Sequence, residues 1–167
     1  LDKWEIPSVT KIGGQAILPD TAASIKEYMQ RKGLEAQSII GIGVGVPGPV
    51  DDQGNVNRCH NLNWGVFNIH QELGALTGLP VKAGNDANVA ALGEYWRGGG
   101  RGYNSMVMVT LGTGVGGGIV LGGRIFGGTR GIAGELGHIP LYADGIPCPC
   151  GSRGCYESYA ATTALVR

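Results

Sequence analysis

Residues 105–123 contain no charged side chain, over a length that could cross a bilayer. Seven of those residues are glycine, five of them in one triplet and one pair. Each glycine weakens a helix interior by about 1 kcal/mol relative to alanine and lets the backbone turn tightly or approach another group closely. The run therefore predicts strand–turn–strand, not a membrane span, with strands at 106–111 and 119–121 and a candidate third strand at 124–126. Glycine is abundant throughout, at 32 of 167 residues, but follows no Gly-X-Y period, which excludes a collagen-like chain.

Other segments alternate between helix and strand patterns. Asp20 is a candidate cap for a helix over 21–32, with Ala23, Ile25, Tyr28 and Met29 as its apolar positions and Gly33 as its stop. Residues 39–46 form a near-continuous apolar run, bounded by Pro47-Gly48-Pro49, that predicts a strand buried on both faces. A helix is expected over 67–77, a short strand over 81–83 and a second helix over 86–96. A further helix is expected over 157–166, and residues 1–7 look like the tail of a strand. Strands alternating with helices argue for an α/β sheet.

Charge and composition exclude several classes. Thirteen basic residues balance thirteen acidic ones, so no basic stripe marks a nucleic-acid surface. The chain is 43% hydrophobic, too apolar for disorder. Asp2, Lys3 and Glu5 interrupt any signal-peptide pattern at the start, and a cytoplasmic protein with no membrane association is expected. Two matches to G-x-G-x-x-G do not make a dinucleotide site. Pro47 and Pro49 block the helix that should follow Gly43, Gly45 and Gly48, and the glycines from Gly112 lead into more strand. There is no Walker lysine motif.

Four sets of residues could carry chemistry. His138, Cys148, Cys150 and Cys155 follow H-x9-C-x-C-x4-C, a Cys₃His set that suits structural zinc. Unliganded buried thiols are the alternative, but Pro147, Pro149, Gly151 and Gly154 predict a loop there, not a core. Asn85-Asp86 lies at the carboxyl end of a predicted strand, where ligands bind in open α/β sheets. Asp86 is either a general base for a hydroxyl or a helix cap. Thr110, Gly112, Thr113 and Gly114 form either a cradle of amides and hydroxyls for phosphate or an unliganded hairpin turn. Glu135 and Glu157 flank the metal loop, as pocket carboxylates or as surface charge. Cys59 is expected to be a small buried residue, and His60 and His70 to be structural or exposed.

Together these residues resemble the ROK family of repressors, open reading frames and kinases, and its bacterial glucokinases in particular. The resemblance rests on the segments Gly45-Val46-Pro47-Gly48-Pro49-Val50-Asp51, Asn61-Leu62-Asn63-Trp64 and residues 85–94. It also rests on residues 110–118, Gly134-Glu135-Leu136-Gly137-His138 and the Cys148–Glu157 loop. It implies an actin-like, ribonuclease-H-type ATPase fold of two lobes with a cleft, incomplete at both ends. Residues 1–103 would form most of the smaller lobe and 104–167 the start of the larger.

The resemblance further implies that Asp86 is the general base. Asn85, Glu135, His138 and Glu157 would bind sugar hydroxyls, with Gly48 close to the sugar. Thr110, Gly112, Thr113 and Gly114 would form the second phosphate loop. It implies hexose and Mg-ATP as ligands, structural zinc, and a homodimer when the protein is complete. The family's first Asp-x-Gly-Gly-Thr phosphate loop is missing from this sequence, so this segment alone is expected to be inactive. The alternative is the sugar-sensing region of a ROK repressor.

Overall fold

In the computed structural model, strands β1 (Ile42–Val46) and β4 (Val81–Asn85) run parallel, and Val46 stands opposite Asn85. The structure describes residues 2–129 and 131–166, without the side chains of His60 and Leu165. They form two compact units, Leu1–Asp86 and Ala87–Arg167.

β1 begins at Ile42, later than expected, because its partner strand is preceded by Pro80. The Ile42 amide donates to the Pro80 carbonyl at 2.8 Å, and proline has no N–H to extend the ladder. Ile40, left outside the sheet, is exposed. In the first unit β1 buries only its Ile–Val side; Gly43 and Gly45 face outward, so it is not a strand covered on both faces.

Helix α1 (Ile17–Lys32) starts one turn before the expected position. Pro19 is tolerated in the first turn, where backbone amides lack intrahelical acceptors. Asp20 therefore sits inside the helix, and Leu18 and Ala22 are its buried residues. Gly33 closes it in the left-handed conformation, as expected. The N-terminal segment is not a strand. Trp4 stacks on Tyr28 of α1 at 4.4 Å, and Asp2 accepts from the Tyr28 hydroxyl and pairs with Lys32, each at 2.8 Å.

The hairpin β2 (Asn55–Cys59) and β3 (Trp64–Asn68) was not expected. It takes the first two residues of the helix expected over 67–77, so α2 covers Ile69–Thr77, capped by the Asn68 side chain on the Gln71 amide at 3.0 Å. Val46, Val56, Cys59, Ile69 and Leu73 pack with Leu18 and Trp64 in one core. Full burial of an aliphatic side chain of this size contributes roughly 1.5–3 kcal/mol.

In the second unit the antiparallel order is β5 (Ser105–Leu111), β6 (Val115–Leu121) and β7 (Arg124–Ile125). β6 starts at Val115 because its glycines are strand residues, used on alternate faces. Gly116 and Gly118 face Ala87 and Ala91 of α3 (Asp86–Arg97), while Gly117 faces Leu136 and the Gly134 carbonyl. A methyl group on Gly116 would already stand 3.1 Å from the Ala87 side chain. Three consecutive glycines let a helix and a loop approach one strand from opposite sides. The last predicted helix is two short ones, α4 (Glu157–Ala160) and α5 (Thr162–Leu165), separated by the extended, buried Ala161.

Candidate functional site

At the carboxyl ends of β1 and β4, the strand–helix junction places Asn85 as the last residue of β4 and Asp86 as the first of α3. The Asn85 amide nitrogen lies 3.5 Å from the Gly48 carbonyl, on the turn that follows β1. An acid in the first turn of a helix is favoured by the helix dipole, and Asp86 occupies that position in α3. On the other side of that turn, a methyl group on Gly48 would stand 3.2 Å from Cys59 Cβ. The Cys59 thiol donates to the Pro47 carbonyl at 3.1 Å, and burial raises its pKa. Cys59 is thus an inert, buried brace for the Pro47-Gly48-Pro49 turn, as its isolation in the sequence suggested.

Glu135 and His138 are carried by a loop pressed onto β6. Gly134 and Gly137 approach the carbonyls of Gly117 and Val115 so closely that neither could carry a side chain. The 3₁₀ turn Leu136–His138 follows, with the His138 amide donating to the Glu135 carbonyl at 3.1 Å. The imidazole then faces two ways: Nδ1 lies 3.7 Å from Cys148 Sγ and Nε2 lies 3.8 Å from Glu135 Oε2.

The cysteine loop folds back by short backbone pairs. Cys148 N–H donates to the Ser152 carbonyl at 2.9 Å and Gly151 N–H to the Cys148 carbonyl at 3.0 Å; Gly151 and Gly154 have positive φ. The Tyr159 hydroxyl accepts the Ile146 amide at 2.9 Å and fixes the loop's base. The donor atoms of His138, Cys148, Cys150 and Cys155 all lie within 4.8 Å of one another, with Cys150 and Cys155 sulfurs 3.7 Å apart. Tetrahedral ligands about 2.3 Å from zinc stand roughly 3.8 Å apart, so the set fits such an ion. With only protein groups around it, burial pushes the Cys155 thiol up to about 11, reinforced by Cys148 and Cys150. Hydrogen bonds from Ser152 and Cys148 lower Cys150.

Glu157 does not point to open surface alone. Its Oε2 accepts the Val115 amide at 2.9 Å and lies against Gly114, where a Cβ would have to displace the carboxylate. Gly112, Thr113 and Gly114 form the turn between β5 and β6, and Thr110 is in β5 just before it. The Thr162 amide and hydroxyl both reach the Gly112 carbonyl at 2.8 Å, and the Thr163 hydroxyl reaches the Thr113 carbonyl at 3.3 Å.

Within the first unit, Gly48, Asn85 and Asp86 come together. Within the second, Glu135 joins the metal-type cluster and Glu157 joins the glycine turn. Thr162, Thr163, Tyr159 and His70 were missed as site supports. Their partners are 13 to 50 residues away, and nothing local marks them. His70 is half-buried and its Nε2 accepts the Ala83 amide at 2.9 Å, a structural role of the kind expected; the side chain of His60 lies outside the described residues.

The mixed α/β units have the actin-like ATPase fold, shared with solved structures of ROK sugar kinases. The chain belongs to the ROK family, whose sequence profile matches residues 7–167. It is 43% identical to a glucokinase of Halalkalibacterium halodurans, over 100% of this chain and 51% of that protein. The crystal structure of a ROK family glucokinase from Streptomyces griseus, in complex with glucose and AMPPNP, superposes with a TM-score of 0.83 at 36% identity. That match covers 100% of this chain and 52% of the other. A putative xylose repressor of a Caldicellulosiruptor species is 36% identical over 98% of this chain and 42% of its own length. The chain thus spans about half the length of the curated relatives it matches. No helix among the described residues is long and apolar enough to cross a membrane.

Proposed function

We propose that the protein phosphorylates a hexose with ATP, glucose being the substrate indicated by its glucokinase relatives. The observation that carries this reading is the Asn85-Asp86 junction: a carboxylate at the carboxyl end of a parallel strand, with the Asn85 amide directed at the Gly48 turn. Asp86 takes the proton from the attacking sugar hydroxyl as the oxygen bonds to the γ-phosphorus and ADP leaves. General-base catalysis of this kind contributes roughly 10²–10⁴-fold.

Asn85, Glu135, His138 Nε2 and Glu157 supply hydrogen-bonding groups of both kinds, which suits a polyol. Gly48 keeps the turn beside Asn85 free of a side chain. Thr110 and Thr113 offer hydroxyls, and Gly112 and Gly114 an unobstructed backbone, to nucleotide phosphate. Magnesium on the nucleotide neutralises phosphate charge, so the chain's own contribution is mostly positioning. His138, Cys148, Cys150 and Cys155 hold zinc as a closed structural set that anchors the loop bearing Glu157 and orients the His138 ring.

A sugar-sensing repressor is the second reading, favoured by the similarity to the putative xylose repressor. Coupled ADP release by the full-length protein, across a panel of aldohexoses and xylose, separates the two. A kinase releases ADP in step with the hexose supplied, glucose foremost. Sugar binding without ADP release supports the repressor.

A further inference from the structure

We propose that Thr162, with Thr163 and Glu157, is a positioning residue that fixes the peptide planes of the Gly112–Gly114 turn so that its amides are aimed at a nucleotide phosphate. The inference rests on the kinase reading of that turn and adds residues to it. A trans peptide unit is planar, with its C=O and N–H on opposite sides. Holding a carbonyl therefore sets the direction of the next residue's amide. The Thr162 amide and hydroxyl both hold the Gly112 carbonyl at 2.8 Å, which orients the Thr113 N–H. The Thr163 hydroxyl holds the Thr113 carbonyl at 3.3 Å, which orients the Gly114 N–H. The third plane is fixed from both ends: the Gly112 amide donates to the Gly114 carbonyl at 2.9 Å, and Glu157 accepts the Val115 N–H at 2.9 Å.

The turn needs this support because Gly112 and Gly114 have no Cβ to limit their dihedrals, and a flipped peptide would present a carbonyl oxygen to the phosphate. The break between α4 and α5 makes it available. Ala161 is extended (φ −65°, ψ 154°), so Thr162 starts a new helix and its amide is directed to Gly112 instead of back along α4. The same segment begins at Glu157, so a sugar bound at Glu157 and a phosphate bound at the turn share one brace.

The test uses the full-length protein with glucose and Mg-ATP. Thr162→Val removes the hydroxyl and keeps the backbone bond. It should raise the KM for ATP about 3–10-fold, the scale of one lost hydrogen bond, with kcat and the glucose dissociation constant changed less than twofold. Thr162→Ser should restore the wild-type KM. Thr163→Val should shift the KM for ATP in the same direction, and it stands in if Thr162→Val does not fold. A wild-type enzyme that phosphorylates glucose but whose threonine variants keep an unchanged KM for ATP overturns the inference alone. A wild-type protein that binds no nucleotide overturns the kinase reading, and the inference with it. A variant that loses kcat at constant KM has a structural defect only, which also contradicts the inference.

Discussion

His70 Nε2 accepts the backbone amide of Ala83 at 2.9 Å, so a side chain from α2 holds strand β4 three residues before Asp86. His70→Ala leaves that amide without its acceptor at a half-buried site, a loss of roughly 1–3 kcal/mol. Gly54 presses on the same ring at φ 86°, so Gly54→Ala is strained by both its backbone and the collision. Urea denaturation should show both variants unfolding at lower midpoint. Unchanged midpoints would show that the His70 contact contributes nothing to β4.

Asp51 gives the first unit a specific acid sensitivity. Its carboxylate accepts the Asn55 side-chain amide at 2.8 Å and the backbone amides of Asn55 and Gln53 at 2.8 and 3.0 Å, and these bonds lower its pKa, the Asn55 side chain foremost. A carboxyl whose folded pKa is depressed stabilises the fold above the unfolded value, about 3.9, and loses that contribution as pH falls through the folded value. Asp51→Ala should therefore lower the thermal midpoint at pH 7, and the difference from wild type should shrink below about pH 4. A difference that stays constant into acid would mean that the ionised carboxylate is not what stabilises the turn.

How much of this was legible beforehand depended on the range of the interactions. The Cys₃His set could be read from spacing because ligand chemistry fixes both residue type and local loop length, and its four donors do converge within 4.8 Å. The Asn85-Asp86 junction could be read because strand and helix periodicities meet there. The β2–β3 hairpin could not. Its stability comes from Trp64, whose indole donates to the Gly14 carbonyl at 3.1 Å, and from the Asn68 amide, which donates to Asn55 at 3.0 Å, neither of which leaves a periodic pattern. Gly116, Gly117 and Gly118 looked like a turn because a glycine's close contacts on two faces are invisible without the partners, Ala87, Ala91 and Leu136. Thr162 was legible only as a residue in a predicted helix, since its role depends on a carbonyl 50 residues away.

For the cysteine cluster, elemental analysis of the purified full-length protein should find about one zinc per chain. Cys155→Ser should abolish it, since a buried thiolate donor is lost from the closed set. Stoichiometric zinc in the Cys155→Ser variant, or a folded wild-type protein that binds no metal, would show that the four residues are not a metal centre.

The proposal that this is a kinase with Asp86 as its base is tested most directly by Asp86→Ala in the full-length protein. Glucose-dependent ADP release and glucose binding by calorimetry should be measured side by side. Turnover should fall at least about 10²-fold while the glucose dissociation constant changes only a few-fold, because the carboxylate is needed for proton removal more than for ground-state binding. A variant that keeps turning over glucose within a few-fold of wild type would show that Asp86 only starts helix α3.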